Sequence, residues 1–200
     1  MFFSSPPWDS VDYWALDLET GGLDPGKDAI LAVGMVPIRH GIIRLGESYR
    51  ALVRPENGTR IDPRSVEAHQ IVWGEVSEAP PLAEVIPQIE RRLSEGVLLV
   101  HHRGLDVAFL KRAFRSAGRI WPRPRVVDTV DLLHKVARKS PFAAPELPKE
   151  PPVLNLSRVR RQNGLPEYRA HDALTDALAT AELFLVLRSA VGARLLRHLR

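Results

Sequence analysis

Short apolar runs rich in β-branched and aromatic residues fill the first quarter of the chain, and runs with helical spacing follow. DYWALDL at 12–18 predicts a strand that ends at the Gly21-Gly22 break. AILAVGMVPIRHG at 29–41 predicts a second strand and IIRLGESYRALVRP at 42–55 a third, with Gly41 as the hairpin turn between them. Asp62-Pro63 opens a short helix, with Pro63 at its first position. LAEVIPQIERRL at 82–93 has helical spacing interrupted by Pro87. VLLVHH at 97–102 is a short buried strand, and LDVAFLKRAFRSAG at 105–118 an amphipathic helix ending in Gly118. RVVDTV at 125–130 predicts the last strand and leads into a helix over LLHKVARK. LSRVRRQNGL at 156–165 is a short helix closed by Asn163-Gly164, and 173–191 is the longest helical run. A meander of strands, followed by strands alternating with helices, predicts an α/β fold: a mixed sheet covered by helices.

Composition narrows the class. Two hundred residues, 44% hydrophobic and 26% charged, suit one globular domain. We place it at 12–190, with an N-terminal extension at 1–11, a Pro-rich insertion at 140–153 and a basic tail at 191–200. No internal repeat is visible. The absence of cysteine excludes disulfides, thiolate zinc sites, iron–sulfur clusters and a cysteine nucleophile. No apolar run approaches a membrane span, and MFFSSPPWDS lacks the pattern of a secretory signal, so the expected setting is cytoplasmic and away from membranes. The net charge of +4 is carried almost entirely by arginine. Arg103, Lys111, Arg112, Arg115, Arg119, Arg123 and Arg125 crowd one stretch, and Arg158, Arg160, Arg161 and Arg169 another. Such clusters serve phosphate contacts or simply solvate helix faces.

Three acidic clusters carry the candidate chemistry. Asp17 and Glu19 lie two apart on a strand, so both carboxylates share one face. Paired acids repel one another, and a hard divalent cation such as Mg²⁺ or Mn²⁺ relieves the repulsion; two exposed acids on an edge strand read the same. Asp106 follows His101-His102 at a strand-to-helix junction, where it serves either the helix dipole or a metal. Neighbouring histidines on a strand point to opposite faces, which argues against zinc. His171 precedes the long helix, and Asp176 sits inside its first turns with no basic residue three or four positions away. A metal ligand and a solvent-facing acid are both consistent with that.

Taken together, Asp17-x-Glu19-Thr20-Gly-Gly-Leu23, His101-His102-x-x-x-Asp106 and His171-x-x-x-x-Asp176 resemble the three exonuclease motifs of the DEDD family. The histidine five residues before the final aspartate resembles that of the DEDDh branch, which includes the proofreading epsilon subunit, RNase T and oligoribonuclease. The resemblance runs from about residue 12 to 188 and takes in AHQIVW at 68–73 and VDTVDLL at 127–133. Two positions depart from the family pattern. His102 stands where Asn is usual, and Leu105 where Phe is frequent; both bear on substrate contacts.

The resemblance implies an RNase H-like fold with a mixed five-stranded sheet whose first three strands are antiparallel. It implies two Mg²⁺ or Mn²⁺ held by Asp17, Glu19, Asp106 and Asp176, with His171 as the general base. It further implies that Thr20 and Gly21 receive the terminal 3′-hydroxyl, that Leu23 wedges against the last base, and that His69 and His102 lie near the substrate. The expected activity is 3′→5′ removal of nucleoside 5′-monophosphates from single-stranded DNA, in proofreading or repair, with a DNA polymerase as an expected partner. An RNA-directed exonuclease, an RNase H-like endonuclease and a binding module with a vestigial site are the alternatives. Glutamine occurs only at 70, 88 and 162, and none begins a Gln-x-x-Leu-Phe type of sliding-clamp peptide.

Overall fold

The computed structural model describes residues 5–139 and 154–200. The Pro-rich stretch at 140–153 and residues 1–4 lie outside the described residues. In chain order the strands and helices are β1 (Tyr13–Thr20), β2 (Ile30–Arg39), β3 (Ile42–Ile43), β4 (Tyr49–Leu52), α1 (Pro63–His69), α2 (Trp73–Ser77), α3 (Leu82–Glu95), β5 (Val97–Val100), α4 (Arg103–Ser116), β6 (Val126–Asp128), α5 (Thr129–Lys139), α6 (Leu156–Gln162) and α7 (Ala173–Val191). The sheet runs β3-β2-β1-β5-β6, with β4 also on β2. β1 pairs antiparallel with β2 and parallel with β5, and β5 pairs parallel with β6. The fold is therefore the expected mixed, RNase H-like one.

It has six strands where five were expected, because the third predicted strand is broken. Pro37 of β2 accepts a hydrogen bond from Arg44 N at 2.9 Å but has no N–H to return it. The ladder stops there, Leu45–Glu47 forms a 3-10 turn, and pairing resumes at Met35↔Tyr49.

Alternation along β1 divides the core in two. Tyr13 and Ala15 face a cluster containing Leu132 and Leu133 of α5, Val159 of α6 and Ala177, Ala181, Phe184 and Leu187 of α7. Trp14, Leu16 and Leu18 face the other way, onto Val85, Ile86 and Ile89 of α3 and Phe109, Leu110 and Phe114 of α4. Burial of the α3 face holds that helix continuous through Pro87, although the proline removes one backbone donor. The two ends of the described chain pack together: Trp8 N donates to Arg194 O, Leu196 N donates to Pro6 O, and Leu196 and Leu199 are buried. Among the described residues no helix is long and apolar enough to cross a membrane.

Candidate active site

The acidic pair sits on the α7 face of β1, as strand periodicity requires. Its partners across β2 are the smallest available, since Asp17 faces Gly34 and Glu19 faces Ala32. A Cβ on Gly34 would collide with the backbone of Ala173. Glycine at that point lets the first turn of α7 rest on the sheet, and this close approach delivers Asp176 to Asp17. Carboxylate oxygens of Asp17, Glu19 and Asp176 all lie within 4.8 Å of one another. Asp172 caps α7 by accepting from Thr175 N at 3.0 Å, and Asp176 accepts from His171 N at 2.7 Å. The histidine backbone is thereby tied to the last acid of the cluster.

Asp106 arrives from the opposite layer. The turn between β5 and α4 is fastened by Asp128 of β6, which accepts from His102 N at 3.1 Å and Arg103 N at 2.9 Å. With those two amides satisfied, α4 begins at Arg103, two residues earlier than the hydrophobic pattern predicts. Asp106 lies in its first turn, only 7% exposed. Burial, then the facing carboxylates of Asp106, Glu19 and Asp176, push Asp17 well above the ordinary carboxylate range. Burial and then the Asp176 charge raise Glu19 to about 7. Burial and then Asp128 raise Asp106 to about 8. Asp176 is raised as well, by burial, against the opposing His171 N–H bond.

Asp17, Glu19 and Asp176 thus meet, while Asp106 stands outside that 4.8 Å group but near enough for its charge to raise Asp17. Glu19 Oε1 is buried with no hydrogen-bond partner. An oxygen donor set of this kind fits a hard divalent cation.

A cavity of about 710 Å³ opens beside this cluster, with Glu19, Thr20, Leu23, His69, Leu105 and His171 in its wall. Gly22 lines it too, whereas Gly21 serves as scaffold, its N–H donating to Ala29 O and its carbonyl accepting from Asp62 N. Leu23 projects at the rim, 80% exposed. His69 Nδ1 accepts from Ile71 N at 3.0 Å, which leaves a buried Nε2 without a partner. Burial, then His171, lower its pKa. His171 is exposed in a left-handed backbone conformation, φ 67°.

His102 is not part of that wall. The expectation that His101 and His102 point to opposite faces fails, because the strand ends at Val100 and His102 turns left-handed, φ 74°. The two rings meet edge-to-face at 4.8 Å, and both Nε2 atoms face Leu154 O, at 2.6 and 3.2 Å.

Asp128 lies in the VDTVDLL stretch, which assigns it no role, and two further supporting residues escape a reading by motif: Gly34 and Asp28. The last is fully buried, and a Cβ on Gly22 would overlap its carboxylate. It accepts from Asp24 N and from Arg60 Nε, both at 2.8 Å, which closes the loop that carries Leu23. The one hint in the sequence is an acid beside the apolar start of a strand.

The family model RNase_T, described as an exonuclease, matches residues 14–184. A DNA polymerase III subunit epsilon-like protein of Rhodobacter capsulatus is 35% identical over 191 residues, which is 94% of this chain and 25% of the relative. A PolC-type DNA polymerase III of Thermotoga petrophila is 28% identical over 179 residues, covering 89% of this chain and 12% of the relative. The chain therefore spans a quarter or less of these relatives. Exonuclease I of E. coli, solved in complex with a dT13 oligonucleotide, shares the fold with a TM-score of 0.77. The match covers 91% of this chain and 42% of that one, at 18% identity.

Proposed function

This chain belongs to the RNase_T exonuclease family, and from that premise we propose that it is a 3′→5′ exonuclease of the DEDDh type that removes nucleoside 5′-monophosphates one at a time from the 3′ end of single-stranded DNA. We assign the activity to one domain over residues 12–190. The observation that carries the reading is the meeting of Asp17, Glu19 and Asp176 beside a cavity walled by Thr20, Leu23, His69 and His171.

Asp17, Glu19, Asp106 and Asp176 would hold two Mg²⁺ or Mn²⁺ ions. When bound, these supply Lewis acidity toward the phosphate and neutralise the acidic cluster. The terminal nucleoside fills the cavity, its 3′-hydroxyl against the backbone at Thr20 and its base against Leu23. His69 offers its free Nε2 to the substrate. His171 stands at the cavity mouth and accepts the proton of the attacking water. The water oxygen bonds to phosphorus, the bond from phosphorus to the 3′ oxygen of the preceding nucleotide breaks, and that oxygen takes a proton from solvent. No covalent enzyme intermediate is required.

DNA as substrate, and a setting beside a DNA polymerase, are supported by the polymerase III relatives and by the DNA-bound structural neighbour. A 5′-labelled 20-mer in DNA and RNA versions, incubated with Mg²⁺, tests the reading. The expected result is a ladder shortened from the 3′ end, faster on DNA, absent in EDTA and delayed by a 3′-phosphate. A single internal cut would indicate an endonuclease, faster loss of RNA an exoribonuclease, and binding without cleavage a vestigial site.

A further inference from the structure

We propose that the outer face of α4 is a track for the single-stranded DNA lying 5′ of the nucleotide being removed, with Lys111 and Arg115 gripping its phosphates. The proposal rests on the exonuclease reading and extends it to a surface outside the catalytic cavity.

Helix α4 buries Phe109, Leu110, Ala113 and Phe114 against the sheet. Steps of three and four residues place Gly104, Ala108, Lys111 and Arg115 on the opposite face. Gly104, Lys111 and Arg115 are exposed, and a Cβ on Gly104 would meet nothing. The face starts beside the cavity, because Leu105, the neighbour of Gly104 in the first turn, belongs to the cavity wall. It stays beside the rim, because Arg112 Nη1 donates to Pro25 O at 2.8 Å in the loop that carries Leu23. Nearest the site the surface is low, with glycine and alanine that leave room for a strand. Beyond them it is cationic. At about 1.5 Å of rise per residue, Lys111 and Arg115 lie about 10.5 and 16.5 Å along the axis from Gly104, at the cavity end of this face. An extended strand leaving the site would bring successive phosphates to them.

The charges are also available. Arg103 pairs with Asp131 and Arg119 with Glu90, but among the described residues neither Lys111 nor Arg115 has an ion pair or a side-chain hydrogen bond. Asp106 is the only acid in α4 and turns to the site.

Two other basic surfaces fit a strand less well. A cavity of about 450 Å³ across His69 and His171 contains Arg50 and Arg169. Arg50 is already paired with Asp172 at 2.9 Å, Arg169 is bonded to Gln70, and Glu75 adds a negative charge. The hollow at Lys135, Arg138 and Lys139 spends both lysines on backbone carbonyls, of His198 and Val191. The outer face of α4 carries no aromatic side chain, so its grip is on phosphate and indifferent to base.

The test uses a dT12 oligonucleotide and the full chain. Binding is followed by fluorescence anisotropy across a salt series in an Asp17→Ala background, and cleavage by steady-state kinetics with Asp17 intact. Each cation removed should flatten the plot of log Kd against log salt by about 0.7. Lys111→Gln and Arg115→Gln should each show that change, and K111E/R115E at least the sum. In the charge-reversed protein KM for dT12 should rise on the order of tenfold, with kcat little changed. The p-nitrophenyl ester of thymidine 5′-monophosphate is too short to reach Lys111 and should be hydrolysed at the usual rate. Wild-type slopes and KM in the folded variants overturn the track while leaving the exonuclease reading intact. If the unsubstituted chain leaves dT12 uncut, the exonuclease reading fails, and the binding slopes still decide the track.

Discussion

Asp17 and Asp106 show how a residue's cost becomes its use. Each is a carboxylate held where water is scarce and other carboxylates are near, an arrangement that opposes ionisation and that a bound cation would relieve. Alanine at Asp17, Glu19, Asp106 or Asp176 should each abolish cleavage. Thermal melting in EDTA should hold or rise, because a repulsive charge has gone. Retained activity in any two of these variants would sink the four-acid site. His171 is expected to behave differently, since the hydrogen bond that ties it to the cluster comes from its backbone N–H to Asp176 and not from its ring. His171→Ala should lose roughly 10²–10⁴-fold in kcat, the usual contribution of a general base. It should still take up Mn²⁺ with near-normal affinity by calorimetry. His171→Asp should keep more activity than alanine, because a carboxylate also accepts a proton.

At the scale of elements, the site depends on where α7 and the β1–β2 loop are allowed to rest. Gly34 is the contact point for α7. Alanine there must push the helix off the sheet, at a cost of about 1–3 kcal/mol by overpacking. Urea denaturation should register that loss. Mn²⁺ affinity should fall with it, since Asp176 moves with the helix; a Gly34→Ala protein with normal stability and normal metal affinity would refute the role given to the glycine. Asp28 is the equivalent fastener for the Leu23 loop. Its carboxyl is held below the ordinary range first by the hydrogen bond from Arg60. Asp28→Ala leaves the Asp24 N–H without its acceptor and releases Arg60 to solvent, so the loop should loosen and stability should fall. Beyond the lost stability, KM for a short single strand should rise more than kcat falls, because in the proposed reading the loop holds the terminal base and takes no part in the chemistry. Equal changes in KM and kcat would argue against that division.

For the whole molecule, the acidic cluster links stability to pH and to metal. Glu19 and Asp106 titrate near 7 and 8 in the fold, and Asp17 is also raised, whereas an unfolded chain releases these protons near pH 4. Between those limits the native state binds more protons than the unfolded state, so stability declines as pH rises. The contribution is complete below about pH 4 and is lost as pH passes through 7 and 8. In EDTA, Tm should therefore be lower at pH 8.5 than at pH 5.5. Mg²⁺ should raise Tm more at the higher pH, and Glu19→Ala should flatten the dependence. Scanning calorimetry at the two pH values, with and without Mg²⁺, checks all three; a wild-type Tm in EDTA no more sensitive to pH than that of Glu19→Ala would contradict the account.

Local rules were enough for much of this. Period two placed Asp17 and Glu19 on one face, the Asp62-Pro63 pair opened α1, and the apolar spacing of 82–93 and 173–191 marked two helices, because each depends on residues within a turn or two. Motif spacing singled out four acids and His171 as candidates, and of these the fold gathers Asp17, Glu19 and Asp176 within 4.8 Å. Other features depended on groups far apart in the chain. Pro37 broke the third strand through a missing donor to Arg44. Asp128 advanced the start of α4 by taking amides from 25 and 26 residues away. His101 and His102 met ring to ring because a left-handed turn replaced the expected pleat. Gly34, a glycine in the middle of an apolar strand, has no local signature that it is the seat of a helix starting at residue 173. Packing between layers decided that. Side-chain size and hydrogen-bond capacity acquire such meaning only when the sheet, α4 and α7 are brought within contact of one another.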